Sequence, residues 1–346
     1  MKRATSSTRK RPRIAPSGAR SEKSKPAQLK ISNVLVPMDF SKPSLRAVEF
    51  ALPLVRKFGA QLHLVHVFAP DYPLASMAAM PLIVPELEVG KRVRRHLRDV
   101  AQKYSLRLGH ENIHALRGRP FEEICRLARE QNIDLIITPT RGLTGLKHLA
   151  LGSTAERVVR YSPCPVLVVR PIDRKGKTGR NGTMTKGQLS FRKILVPVDF
   201  SECSMKGVAY AKALARKFGS KLILLHSVAI QYYVSNDEYA RFDFPQLMQQ
   251  AEKAARNQMG DLVEKADWDG VVKVETSMQI GHPGQQICAR AIDHQADLIV
   301  TSTHGTTGFK HMLLGSTAEY VVRHASCPVL VVPGHERPVL NSKKEN

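Results

Sequence analysis

A phrase built around widely spaced glycines occurs twice in this chain, and the repetition restricts the fold more than any other feature. Residues 138–154 read TPTRGLTGLKHLALGST, and residues 301–317 read TSTHGTTGFKHMLLGST. The similarity extends outward, since VLVPMDFSKPSLRAVEFALPLVRKFGAQLHLVHV at 34–67 aligns with ILVPVDFSECSMKGVAYAKALARKFGSKLILLHSV at 194–228. A repeat of about 160 residues is far longer than the 20–50 residues of a solenoid unit, so it predicts two whole domains.

Each copy alternates short apolar runs with longer helical patterns. In the first copy the strand candidates are VLVP, LHLVHV, a segment near HENIHAL, LIITPT and PVLVV. Near-continuous apolar runs are typical of strands that are buried on both faces of a parallel sheet. Strands that alternate with helices predict right-handed crossovers. The predicted fold class is therefore α/β, with two copies of a five-stranded, doubly wound parallel sheet.

The net charge of +23 is concentrated outside the two repeated units. Residues 1–30 contain ten Lys or Arg and one acid, and residues 170–193 contain eight and one. Segments this polar and rich in Gly, Ser and Pro cannot bury enough apolar surface to pack, which predicts disorder. We therefore divide the chain into a basic disordered tail at 1–30, a first domain at 31–171, a basic linker at 172–190, a second domain at 191–333 and a C-terminal tail at 334–346.

The charge and the cysteine content indicate which partners the protein could bind and in which cellular compartment we expect it. Basic tails can bind nucleic acid without sequence specificity. The basic, Ser-rich start also resembles a transit peptide, but no amphipathic apolar face accompanies it. No apolar run is long enough to predict a membrane span, and no apolar region follows the charged start as in a secretory signal. Five separated cysteines without a C-x-x-C pair argue against disulfides and zinc, so we expect a cytoplasmic protein.

The repeated loop connects a strand end to a helix start, a place suited to holding phosphate. Ligands of open α/β sheets bind beyond the carboxyl ends of the strands. Glycine lets a ligand approach the backbone closely, and a helix start offers free N–H groups and a partial positive charge. The plainer alternative is a Gly-rich turn followed by a Ser or Thr N-cap, and the residues leave both interpretations open.

Three stretches of each copy form a recognisable set: VPMDFS and VPVDFS after the first strand, the Gly-spaced loop, and GSTAERVVRYSPCPVLVV with GSTAEYVVRHASCPVLVV. Together they resemble the universal stress protein family. The resemblance covers nearly the whole chain outside the tails and the linker. It implies the family's five-stranded, adenine-nucleotide alpha hydrolase-like sandwich. The ATP-binding branch of the family carries G-x2-G-x9-G-[ST], whereas another branch lacks this motif and does not bind nucleotide.

The resemblance implies a site for ATP, together with Mg²⁺, in each copy. The glycines and the Ser after them match residues that hold phosphates in the family. Asp39 and Asp199 match the acid beside adenine and ribose, and Val67 and Ser227 match the nucleotide contact at the end of the second strand. The implied site residues are Asp199, Ser227, Ser302, His304, Gly305, Gly315, Ser316 and Thr317 in the second copy, and Asp39, Val67, Gly142, Gly152, Ser153 and Thr154 in the first.

The first glycine of the family motif is missing from both copies. Pro139 replaces it in the first copy and removes a possible phosphate donor, because proline has no N–H. Ser302 replaces it in the second copy and keeps the N–H. We therefore expect the second domain to bind nucleotide more tightly than the first. The two histidines that end the second strands, His66 and His226, are interpreted as core residues.

Three functional hypotheses follow. The first is an ATP-binding stress-response regulator, with at most slow ATPase activity, because no catalytic triad or metal-ligating cluster is recognisable. The second is a stress protein that does not bind nucleotide and acts as an interaction scaffold, which Pro139 and Ser302 favour. The third is a nucleic-acid-associated protein that acts through its basic tails.

The last strand of each copy is expected to mediate pairing. In the family this strand commonly forms the dimer, so the resemblance implies an intrachain pseudo-dimer and allows a homodimer through residues 165–169 and 328–332. Such pairing would cover an otherwise exposed sheet edge.

Overall fold

The computed structural model describes residues 29–68, 86–140, 151–170, 183–185, 188–229, 244–305 and 314–334. The strands of the first domain are β1 (Asn33–Pro37), β2 (Gln61–Phe68), β3 (Ile113–Arg117), β4 (Leu135–Pro139) and β5 (Val166–Val169). Its helices are α1 (Lys42–Phe58), α2 (Glu86–Lys103), α3 (Pro120–Glu130) and α4 (Ser153–Tyr161), with a short 3₁₀ turn at His110–Asn112.

The second domain repeats this order of elements. A two-stranded hairpin, β6 (Thr183–Thr185) and β7 (Gln188–Ser190), precedes it. Its strands are β8 (Lys193–Pro197), β9 (Lys221–Val228), β10 (Lys273–Ile280), β11 (Leu298–Ser302) and β12 (Val329–Val332). Its helices are α5 (Glu202–Phe218), α6 (Phe244–Lys265), α7 (Pro283–Asp293) and α8 (Ser316–His324).

Each domain contains a five-stranded, fully parallel sheet, which confirms the predicted fold class. The strand order is β3-β2-β1-β4-β5 in the first domain and β12-β11-β8-β9-β10 in the second. The order reverses between β1 and β4, and again between β8 and β11, so each domain has one switch point at the carboxyl ends of its strands. Of the described helices, none is long and apolar enough to cross a bilayer.

The two sheets join through their last strands into one ten-stranded sheet. Strand β12 runs antiparallel to β5, and Leu330 pairs with Leu167 at the centre of the contact. The expected intrachain pairing of 165–169 with 328–332 is therefore present. A homodimer through the same strands is not available, because β5 also pairs with β4 and β12 with β11, so both edges of each strand are occupied.

Helices α1 and α5 carry a serine N-cap and a glycine C-cap. The hydroxyl oxygens of Ser41 and Ser201 accept hydrogen bonds from backbone N–H groups three residues later, as N-caps do. Gly59 and Gly219 end the helices in the left-handed conformation, with φ of 65° and 67°.

Two apolar layers cover the sheet, and both contain residues of the two domains. Phe191 is fully buried and packs against Phe50 and Phe218, with ring centroids 6.4 and 5.0 Å apart. Leu29 and Leu189 are buried in the same layer, although the sequence assigns them to the disordered tail and linker. Each stands two residues before another buried apolar residue, so a short extended segment directs both side chains inward.

Candidate functional site

A cleft of about 290 Å³ opens at the switch point of the first domain. Its walls come from the ends of β1, β2 and β4 and from the first turn of α4. Five of the predicted residues line it together: Asp39, Val67, Gly152, Ser153 and Thr154. The sixth, Gly142, lies outside the described residues.

A tight turn after β1 presents the Asp39 carboxylate to this cleft. Phe40 adopts a left-handed conformation with φ of 61°, which is uncommon for a bulky residue. The turn lets the Asp39 carboxylate accept a hydrogen bond at 3.0 Å from the backbone N–H of Ser41, the N-cap of α1. The second domain repeats the turn, with Phe200 at φ of 64° and Asp199 accepting from Ser201. The acid is thus fixed by the start of the following helix.

His66 belongs to the wall of the cleft, and the interpretation of this residue as part of the core is corrected. It is only half-buried and lines the cleft beside Val67. Its Nδ1 atom lies 2.7 Å from the carbonyl oxygen of Met38, so Nδ1 carries the hydrogen of this bond. The ring also packs on Phe40, with centroids 4.8 Å apart. The turn that displays Asp39 therefore also orients His66.

Helix α4 points an uncapped amino end at the cleft. Its N-cap is Gly152, and among the described residues no side chain bonds to the first turn. The N–H of Gly152 donates to the Thr140 carbonyl at 2.8 Å, which leaves the N–H groups of Ser153, Thr154 and the next residue for a ligand. Ser153 is therefore the first helical residue, and Gly152 is the N-cap in its place. The arrangement suits an anion.

Pro139 ends β4 at the floor of the cleft. It is buried and stands opposite Val169 in the sheet. The next N–H along the chain, that of Thr140, donates to the Val169 carbonyl at 3.0 Å and so belongs to the sheet. The polar groups left to face a phosphate are those of α4, and the proline does not disturb them.

Several of the matching residues of the second domain are in contact with other parts of that domain. A side chain built on Gly305 would overlap Oδ2 of Asp199, so the loop after β11 lies directly on this acid. The Ser302 hydroxyl donates to the His304 carbonyl at 2.8 Å. Ser227 donates to the carbonyl of Gly281 at 3.0 Å. Gly315 is the N-cap of α8, followed by Ser316 and Thr317 in its first turn.

Gly334, two residues after β12, adds to the close packing at this second site. The backbone N–H of Gly334 donates to the Thr303 hydroxyl at 3.1 Å, and Lys206 donates to the Gly334 carbonyl. Thr303 Oγ1 also lies 2.8 Å from Nδ1 of His304. The described polar groups of the second site are thus hydrogen-bonded within the protein, whereas those of the first domain line a cleft.

Comparisons with known proteins agree on one family. Residues 30–170 and 190–333 each match the model of the universal stress protein family. A universal stress protein of Mycolicibacterium smegmatis is 28% identical over 308 residues, which cover 86% of this chain and 96% of that protein. Universal stress protein MJ0531 of Methanocaldococcus jannaschii is 31% identical over 153 residues, 44% of this chain and 88% of that protein.

The solved structures show the same fold. The crystal structure of a universal stress protein from Archaeoglobus fulgidus superimposes with a TM-score of 0.55 at 23% identity. The match covers 88% of this chain and 97% of that chain, so it includes both domains.

Proposed function

Because the chain belongs to the universal stress protein family, we propose that its first domain binds ATP with Mg²⁺ and that the protein is a cytoplasmic stress-response regulator, not a strong catalyst. One observation carries this proposal. The cleft of about 290 Å³ brings Asp39, Val67 and the uncapped start of α4 together at the switch point. Sequence positions 39, 67 and 153 are far apart, so their convergence supports a common ligand.

The cleft offers each part of a nucleotide a suitable surface. The N–H groups at the start of α4, with the hydroxyls of Ser153 and Thr154, would hold phosphate oxygens. Asp39 would accept hydrogen bonds from ribose or adenine, beside the end of β2. Among the described residues no three His, Cys, Asp or Glu lie close enough together to hold a metal, so Mg²⁺ would be bound largely through the phosphates.

The residues around the cleft favour binding over rapid hydrolysis. His66 is the titratable side chain beside Asp39, and its Nδ1 hydrogen is used by the Met38 carbonyl. The cleft lining contains no lysine or arginine among the described residues to stabilise charge on a departing phosphate. The bound state, and not turnover, would then carry the signal to a protein partner.

The duplication supplies a matched experiment for this proposal. Ser153 and Ser316 are both exposed first residues of their helices. Replacing either by Asp puts a negative charge where it stabilises the helix but repels phosphate. Mg-ATP is titrated calorimetrically into the full-length wild type, Ser153→Asp and Ser316→Asp. We expect at least a tenfold loss of affinity for Ser153→Asp and less than a twofold change for Ser316→Asp.

Two other results would reject the proposal. The loss of affinity only in Ser316→Asp would assign the ATP site to the second domain, as the motif predicts. A wild type that ignores millimolar Mg-ATP would favour the scaffold hypothesis, which Pro139 and Ser302 already support by departing from the family motif.

A further inference from the structure

Helix α2 carries a row of exposed cations that the nucleotide site does not use. Its middle reads KRVRRHLR over residues 91–98. We define the α2 basic face as Lys91, Arg92, Arg94, Arg95 and Arg98, all of which are exposed. We propose that the α2 basic face binds the phosphate backbone of nucleic acid. The proposal concerns the folded first domain and is independent of ATP binding.

Most of the apolar side of α2 is buried against the sheet, and charged side chains dominate its exposed surface, on which Leu87 is the large apolar residue. Val93, Leu97, Val100 and Ala101 are buried, and the helix packs over β2 and β3. A helix that binds in a membrane interface must insert its apolar face among the lipids, and this one cannot do so. The partner that the outer surface of α2 fits is therefore one that is recognised by charge.

Few acids neutralise the α2 basic face. Glu88 pairs with Lys91 at 2.8 Å, and Nη2 of Arg98 lies 3.3 Å from Nδ1 of His110. Among the described residues, no carboxylate forms an ion pair with Arg92, Arg94 or Arg95. Three guanidinium groups are thus available to an external anion. Each can bind a phosphate through two parallel N–H bonds.

Helix α6, which occupies the same place in the second domain, shows that the fold does not require this charge. Two of its three cations form ion pairs within the helix, Arg256 with Glu252 at 3.9 Å and Lys265 with Asp261 at 2.7 Å. It has three cations and three acids in Phe244–Lys265, whereas α2 has six and three in Glu86–Lys103. The two helices share an origin and a packing role. The excess on α2 therefore needs an explanation outside the fold.

The arrangement of the cations favours a polymer of phosphates over a single ion. Residues three or four positions apart lie about 5–6 Å from each other on a helix surface. Lys91, Arg95 and Arg98 follow this spacing along roughly 10 Å of the helix. Nucleic acid presents closely spaced phosphates along a line and can neutralise several of these groups at once. The ten cations of residues 1–30 would add long-range attraction of the same sign.

The test uses the full-length protein and a fluorescent duplex DNA of arbitrary sequence, with anisotropy measured at several salt concentrations. The α2 variant is Arg92→Gln/Arg94→Gln/Arg95→Gln. The matched control removes three cations from α6: Lys253→Gln/Arg256→Gln/Lys265→Gln. Glutamine is a good helix former at exposed positions, and thermal melts verify that both variants fold. Both variants keep the basic tail and have the same net charge.

We expect the α2 variant to lose at least tenfold in affinity at low salt. The slope of log affinity against log salt should fall by about 3, since each lost phosphate contact contributes about 0.9. The control should stay within twofold of wild type. Equal losses in the two variants, or none, would overturn the proposal and assign any binding to net charge or the tail. Binding to phosphatidylglycerol vesicles in preference to DNA would overturn it too, and so would a wild type that binds neither.

Discussion

The carboxylate of Asp199 occupies the space that a side chain on residue 305 would need. A Cβ atom built on Gly305 would overlap Oδ2 of Asp199. Asp199 is held there by the backbone N–H of Ser201 at 3.1 Å and its hydroxyl at 2.6 Å. The family resemblance assigns Asp199 to the adenine and ribose and Gly305 to the phosphates of a nucleotide. In this chain the two residues are in direct contact.

Gly305→Ala should therefore destabilise the second domain. The new methyl group must displace Asp199 and break its hydrogen bonds to the N-cap of α5, at a cost of about 1–2 kcal/mol. Urea unfolding measures the change in the free energy of unfolding. Gly260→Ala is the control, because nothing lies within 4 Å of its added Cβ and alanine favours a helix, so a small gain is expected. A Gly305→Ala protein as stable as wild type would contradict the contact.

Asp297 should be essential to the stability of the second domain. Its buried carboxylate accepts the N–H groups of Arg192 and Lys193 at 2.8 and 3.1 Å and so joins the starts of β8 and β11. Asp134 does the same in the first domain for Ser32 and Asn33. Asp297→Ala leaves two N–H groups without this acceptor, so we expect a loss of about 2–4 kcal/mol in urea unfolding.

Asp261, an exposed acid, provides the control for the Asp297→Ala variant. Asp261 forms an exposed ion pair with Lys265, so Asp261→Ala should cost less than about 1 kcal/mol. Similar losses for the two variants would show that the buried carboxylate is not the constraint that joins the strands.

The first domain should lose stability as the pH falls from about 6.5 towards 4. Nδ1 of His63 lies 3.2 Å from Nε2 of His114, with the rings stacked. Burial lowers the pKa of His63 below its usual 6.5, and burial together with His63 lowers the pKa of His114 to about 4. The unfolded chain therefore takes up protons first. Stability from this pair is complete above pH 6.5 and declines below it.

The expected loss between pH 7.5 and 4.5 is about 1–2 kcal/mol, reduced from the full shift because His114 is partly exposed. The control is His63→Ile/His114→Ser, which introduces the residues at the matching strand positions of the second domain, Ile223 and Ser277. Its unfolding free energy should depend less on pH over this range. An unchanged pH dependence would show that other groups dominate.

Arg170→Ala should weaken the contact between the two domains and lower the Tm of the protein. Nη2 of Arg170 donates to the carbonyls of Val322, at 3.1 Å, and Arg323, which end helix α8 in the other domain. A cation at this place satisfies the terminal carbonyls and complements the helix dipole. We expect a fall of a few degrees in Tm by calorimetry, corresponding to about 1–2 kcal/mol. The control is Lys253→Ala at an exposed position of α6. It should change the free energy of unfolding by about 0.5 kcal/mol or less and leave Tm within about one degree of wild type.

Local patterns in the sequence predicted much of this structure. The short apolar runs located the strands, and their alternation with helical patterns predicted the parallel sheet of each domain. Tertiary contacts decided the rest. The left-handed turn at Phe40 depends on packing with His66, and the position of the Asp199 carboxylate depends on its contact with Gly305, which follows the neighbouring strand. Leu29 and Leu189 were assigned to disordered segments because those segments are highly charged. The short apolar alternation around each residue, which places its side chain in the core, was too local to change that assignment.

Because β5 and β12 pair in antiparallel orientation, the corresponding sites of the two domains lie at opposite ends of the sheet. Because every strand within a domain is parallel, the carboxyl ends of the two half-sheets point in opposite directions. The first cleft and its counterpart around Asp199 therefore open at opposite ends of the ten strands. The two ends are connected through the joint between the domains, where three residue pairs join Val166–Val168 to Val329–Val331 and Arg170 reaches the end of helix α8.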